Sequence, residues 1–257
     1  MISTFYIEMK LRNIFGKDRE KEIDLFCGLI KKHFCIIDIG ANRGTYSYPI
    51  SKRISRNGKL YLFEPLPELF YYLKNGFINK KNIFVYEKAC GNIAQSKPIR
   101  IPLYNGTKGL GSASFVNNFK DFLEMDLEVL KIDDLKLSRI DLLKIDVEGY
   151  ETFVLEGALH SIRKSKPVIL VEIDWNMGNE YFDRLTNLIR DLDYRILSLT
   201  GNIFLEVGSS EFNSNKLNFH EAGYRNNFFL IPSGRFEEVK KLLENQNYLF
   251  NFFRRFI

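Results

Sequence analysis

Cys35-Ile-Ile-Asp-Ile-Gly-Ala-Asn-Arg-Gly-Thr45 is the stretch on which the fold turns. The apolar run over 34–39 reads as a buried strand, and Gly40-Ala-Asn-Arg-Gly44 breaks it. Gly40 omits a Cβ where a ligand has to approach the backbone, and Gly44 lets a following helix pack closely. The pattern resumes over 45–54 as that helix.

Outward from this turn the same rhythm repeats. Ile23, Leu25, Phe26, Leu29 and Ile30 recur at near-helical spacing over 18–33. Gly58 precedes a second strand over 60–63. Pro65 and Pro67 then open a helix reaching about residue 77, and a third strand follows over 82–86. Strand, helix, strand alternation predicts a parallel, doubly wound α/β sheet that binds ligands at the C-terminal ends of its strands.

Residues 90–126 interrupt the rhythm with Pro98, Pro102, Gly106, Gly109 and Gly111, and read as an insertion of short strands and a Gly/Ser loop. Strands over 142–145, 168–173 and 194–199 then alternate with helices over 150–163 and 181–192. A last strand over 228–231 is expected to close the sheet antiparallel to its neighbours, followed by a helix over 235–245. The sum is a mostly parallel, seven-stranded sheet with a short β-containing insertion after the third strand. A helical extension over 1–33 precedes it, and an aromatic, basic tail over 246–257 follows.

Composition sets the outer limits. The 257 residues, 45% apolar and 27% charged, suit one well-filled domain. A net charge of +5, from 37 basic and 32 acidic residues spread along the chain, gives no directed patch for nucleic acid. Cys27, Cys35 and Cys90 show no paired spacing and point to a reducing compartment. The first residues lack the pattern of a secretory signal, and no run reaches transmembrane length, so a cytoplasmic location is the expectation. Arg254 and Arg255 among the tail's aromatic residues suit docking on the protein itself or a peripheral membrane contact.

The glycine turn is not the dinucleotide fingerprint. That motif needs a second glycine where Asn42 stands, whereas an acidic residue before a looser turn, Asp38, suits a sulfonium cofactor. The second strand ends in Glu64, 24 residues after Gly40, where an acidic side chain accepts hydrogen bonds from ribose hydroxyls. The alternative is a pair of ordinary turn glycines and a solvated strand-end charge.

These segments, with Leu142-Leu-Lys-Ile-Asp-Val-Glu-Gly-Tyr-Glu-Thr-Phe-Val-Leu-Glu-Gly-Ala158, resemble the FkbM family of methyltransferases. Phe63-Glu64-Pro65, Gly111-Ser-Ala-Ser114, Ile132-Asp-Asp-Leu135, residues 167–172 and Asn227-Phe-Phe-Leu-Ile-Pro232 extend the resemblance over about residues 34–232. It implies a class I methyltransferase (Rossmann-like) fold, S-adenosylmethionine as donor, and transfer to a hydroxyl of a sugar, glycan or small natural product. The cofactor site is then assigned to Asp38, Gly40, Asn42, Gly44, Glu64, Pro65 and Cys90.

A hydroxyl acceptor must lose a proton, and Asp146 and Glu148, at the end of the fourth strand of this rhythm, are the candidate bases, with Asp146 preferred. Against this, Asp146 could instead cap the helix that follows, with Glu151 beside the same N-terminus. Glu172, Asp174, Asp146 and Asn176 form an all-oxygen set that would suit Mg²⁺ or Ca²⁺. His33, His160 and His220 read as structural or solvated, with His220 the best of them as a base. Tyr46, Phe115, Trp175 and Tyr181 fall in segments that border the expected cleft. A nicotinamide-dependent oxidoreductase and a non-catalytic binding protein on the same fold are the competing functions.

Overall fold

The computed structural model describes residues 5, 7–9, 21–173, 179–200, 203–208 and 227–254. Its centre is the expected parallel run: β1 (Cys35–Ile39), β2 (Lys59–Phe63), β3 (Ile83–Tyr86), β8 (Leu142–Ile145) and β9 (Val168–Glu172). β2 and β8 flank β1, with Ile36 opposite both Leu60 and Leu142. All five residues of β1 are buried, because helices cover both faces of such a sheet and leave no polar side.

The two faces form separate cores. Ile36, Ile50, Leu60, Leu73, Phe236 and Leu243 lie on one face. They carry α1 (Lys21–Gly28), α2 (Ser47–Arg53), α3 (Pro67–Gly76) and α7 (Phe236–Arg254). Ile37, Ile39, Leu143, Val154, Ile162 and Leu185 lie on the other, under α4 (Glu151–Glu156), α5 (Leu159–Ser165) and α6 (Asn179–Asp191). Each such apolar side chain contributes roughly 1.5–3 kcal/mol by burial.

Among the described residues the sheet has eight strands, one more than expected: β10 (Tyr194–Thr200), β11 (Ile203–Glu206) and β12 (Asn227–Pro232) extend the parallel run, in the order β11-β10-β12-β9-β8-β1-β2-β3. β12 does run antiparallel to its neighbours, but it sits between β9 and β10 rather than at the edge. The extra strand, β11, pairs back on β10. The helix expected over 150–163 is two helices parted at Gly157, where an added Cβ would stand 1.9 Å from the Gly91 carbonyl oxygen. The chain entering the insertion passes there.

The insertion strands are longer than the sequence suggested. β5 (Gln95–Tyr104) pairs antiparallel with β7 (Phe122–Leu130), and the short β4 (Ala89–Cys90) and β6 (Thr107–Lys108) flank them. Pro98 and Pro102 disguise β5. They are tolerated because β6 pairs only with Leu103 and Tyr104, leaving most of that side of β5 outside the regular ladder. Helix α7 carries helical backbone past residue 245 into the tail. Among the described residues no helix is long and apolar enough to cross a membrane.

Candidate active site

A cleft opens at the C-terminal ends of β1, β2, β8 and β9. Its volume is about 150 Å³, and its walls include Gly40, Asn42, Glu64, Pro65, Cys90, Asp146, Glu148 and Glu172. The reason for Gly40 differs from the expected one. Its φ is +74°, and an added Cβ would meet the backbone oxygen of Asp146 at 1.8 Å. The residue is therefore demanded by the close crossing of the β1 and β8 ends, before any ligand is considered. Gly44, with φ +86°, packs on Leu73 of α3 and does not line the cleft. Asn42 has φ 48°, a left-handed conformation that costs a non-glycine residue energy and clusters at functional sites.

Glu64 holds this strained turn. Its Oε2 accepts the Asn42 backbone N–H at 2.8 Å, and its Oε1 accepts that of Leu66 at 3.0 Å. Burial pushes the carboxyl up to about 7 despite both bonds. Each oxygen still has a lone pair to offer. Cys90 is fully enclosed in the wall, and burial raises its thiol well above the usual range, so it contributes a small apolar surface rather than a nucleophile.

At the end of β8 the decisive residue is one that the sequence reading passed over. Lys144 is buried, opposite Asp38 in the strand register. Its Nζ donates to Asp146 Oδ2 at 2.9 Å and to the Gly40 carbonyl oxygen at 3.1 Å, and lies 3.5 Å from Asp38 Oδ1. Burial pulls the ammonium's pKa down, but the Asp146 and Asp38 carboxylates outweigh it and hold it above its ordinary value. Asp38 is fully buried beneath the turn. Its Oδ2 accepts from the Ser47 hydroxyl at 2.5 Å, and its Oδ1 has no hydrogen bond. It thus supports the turn from behind and does not line the cleft.

Asp146 is not a helix cap. Tyr150, at the N-cap of α4, makes no side-chain cap bond, and Lys144 holds the Asp146 carboxylate instead. Glu151 does serve the approach to that helix, its Oε1 accepting Gly149 N–H at 2.9 Å. Burial raises Glu151, which also accepts the Tyr181 hydroxyl. Glu148 lines the cleft in a left-handed conformation, φ 50°. Ser114 pins it: the buried Ser114 hydroxyl donates to the Glu148 carbonyl oxygen at 2.7 Å while accepting the N–H groups of Val116 and Asn117.

The insertion forms part of the wall. Ile99, Leu110, Gly111, Ala113 and Phe115 reach the cleft, and Leu66 and Leu69 join Ile99, Ile101 and Leu127 in a third apolar cluster beneath them. Lys97 donates to the Tyr150 hydroxyl at 3.3 Å and lies over that ring, tying β5 to the start of α4.

Of the remaining candidates, Phe115 lines the cleft, Tyr46 lies behind it against Lys144, and Tyr181 is engaged with Glu151. His33 and His160 are exposed and outside the cleft. Asp174, Trp175, Asn176 and His220 lie outside the described residues. Among the described residues no group of three His, Cys, Asp or Glu is placed to hold a metal.

Six strands running the same way (β3, β2, β1, β8, β9 and β10), a switch point at β1 and an antiparallel β12 set between β9 and β10 define the class I methyltransferase fold. The chain belongs to the methyltransferase FkbM domain family, whose profile matches residues 38–196. Solved structures of similar shape include an FkbM methyltransferase from Methylobacillus flagellatus KT, 17% identical with TM-score 0.49. That match covers 84% of this chain and 46% of the other, so the chain spans less than half of that protein. A SAM-dependent O-methyltransferase from Thermotoga maritima matches at 10% identity and TM-score 0.45, over 86% of this chain and 69% of its own. Fibrillarin from Aeropyrum pernix, solved with S-adenosyl-L-methionine, matches at 14% and 0.46, over 82% and 73%. Among curated proteins none matches.

Proposed function

We propose that this methyltransferase uses S-adenosylmethionine to O-methylate a hydroxyl of a sugar, a glycan or a small natural product. The observation that carries this is the pairing of Glu64 and Asp146 on opposite sides of one strand end. One carboxyl is buried, backbone-anchored and suited to accept from hydroxyls. The other is partly open, side chain 29% exposed, and suited to accept a proton.

The residues fit the donor. Glu64 would receive the ribose hydroxyls, Asn42 and Gly40 would shape the turn beside the methionine portion, and Pro65 and Cys90 would supply the apolar wall. When bound, the donor supplies an electrophilic methyl on a positively charged sulfur, which leaves as a neutral thioether. Asp146 would take the proton of the acceptor hydroxyl and so free that oxygen's lone pair to receive the methyl group. Positioning supplies much of the remaining rate, because the methyl carbon is already activated. Glu148 stands on the same wall as a second acceptor of hydrogen bonds from the substrate.

Calorimetry with S-adenosylhomocysteine and with NAD separates methyl transfer from hydride transfer: binding of the first alone is expected, and binding of NAD alone overturns the proposal. Isotopically labelled S-adenosylmethionine, incubated with the protein and extracts of its source cell, then identifies the acceptor by mass spectrometry. Label on nitrogen or carbon would refute the O-methyl reading.

A further inference from the structure

Resting on the methyl-transfer reading, we propose that Lys144 is a positioning residue that fixes the Asp146 carboxylate relative to the cofactor turn. A lysine ammonium has three protons, and here it faces three oxygen atoms: Asp146 Oδ2 at 2.9 Å, Gly40 O at 3.1 Å and Asp38 Oδ1 at 3.5 Å. The Tyr46 ring, its centroid 5.0 Å away, closes another side. One buried cation therefore touches both the glycine turn and the proposed base.

The backbone alone does not fix that base. Gly40 and Asp146 cross so closely that their main chains are locked together, but the Asp146 side chain remains free to rotate about its own bonds. The described hydrogen bonds to its carboxylate come from Lys144 alone. A base displaced by about 1 Å loses on the order of 100-fold in rate, so a tether of this kind acts on turnover more than on donor binding.

A purely structural Lys144 would exist to neutralise Asp38, and the two roles separate experimentally. Lys144→Met leaves Asp38 buried without its cation and is expected to lose thermal stability. The double variant Asp38→Asn/Lys144→Met removes both buried charges and is expected to recover much of that loss. If Lys144 positions Asp146, the folded double variant transfers labelled methyl about 100-fold more slowly than wild type while its S-adenosylhomocysteine Kd stays within about fivefold. Lys144→Arg keeps a positive charge beside Asp38 but displaces the donors, and gives the same split. Wild-type turnover in either folded variant overturns the proposal, as does a loss of affinity equal to the loss of rate. A wild-type protein that binds no S-adenosylhomocysteine instead overturns the methyl-transfer reading, which keeps the two failures distinct.

Discussion

Glu64 and Asp146 follow β2 and β8, the two strands that flank β1, yet the protein treats their carboxyls in opposite ways. At the β2 end Glu64 is buried and hydrogen-bonded by two backbone N–H groups, and desolvation pushes its pKa up to about 7 although those bonds and the Lys144 charge pull it down. At the β8 end Asp146 is half-open and has a buried ammonium at 2.9 Å. Desolvation keeps the proton on Glu64, whereas Asp146 has the Lys144 ammonium within hydrogen-bond distance. In the proposed reaction, one sheet edge carries the group that accepts from the ribose hydroxyls and the group that takes the acceptor's proton, each in its own environment.

The largest break in this comparison comes from the β8 side. Asp146→Asn removes the proton acceptor but keeps the shape, so labelled methyl transfer should fall by about 100-fold or more. S-adenosylhomocysteine affinity, read by calorimetry, should change little. A variant with undiminished turnover would take Asp146 out of the chemistry.

On the β2 side the effect falls on binding. Glu64→Ala deletes a charge-assisted acceptor worth about 1.5–3 kcal/mol, so S-adenosylhomocysteine affinity should drop roughly 10- to 100-fold. Affinity equal to wild type would exclude Glu64 from the site.

The raised carboxyl also gives the binding a pH dependence of predictable sign. Ribose hydroxyls favour the carboxylate, whereas the free protein keeps the proton up to about pH 7. Affinity should therefore be full above 7 and fall by up to tenfold per unit below it. The folded protein without ligand behaves inversely. With Glu64 holding its proton from 4.5 up to about 7, this group makes the fold less stable as pH rises through that window. Calorimetry at pH 6 and 8 reads the first effect, and thermal melts the second. Glu64→Gln should flatten both.

Much of this architecture is legible in the chain. The apolar runs at β1, β8 and β9 announce strands buried on both faces, and Gly40 and Glu64 mark the switch point. What escapes is long-range. Gly157 looks like an ordinary helix residue until Gly91 passes 1.9 Å from the position of its missing Cβ. β5 hides behind two prolines, because local pattern does not show that most of one side of a strand lies outside a regular ladder. Asp38 reads as a cofactor ligand but lies under the turn, since strand alternation sends it toward α2 and Ser47. Lys144 carried a usable signal. A lysine inside Leu142-Leu-Lys-Ile145 must find a countercharge if the strand is buried, and Asp38, in the other apolar run, was the evident partner.

The smallest effect concerns what keeps the β8 side in shape. Glu148 sits at φ 50°, a conformation that its own side chain does not favour. The insertion supplies the restraint through the Ser114 hydroxyl on its carbonyl oxygen. Ser114→Ala removes about 1 kcal/mol of hydrogen bonding and also frees the N–H groups of Val116 and Asn117, which border the Phe115 wall of the cleft. Turnover should fall only about three- to tenfold, with the acceptor's KM rising and S-adenosylhomocysteine affinity unchanged, because Glu64 lies across the cleft and is untouched. A fall in cofactor affinity instead of acceptor KM would mean that the insertion braces the β2 side, and the division of labour between the two strand ends would not hold.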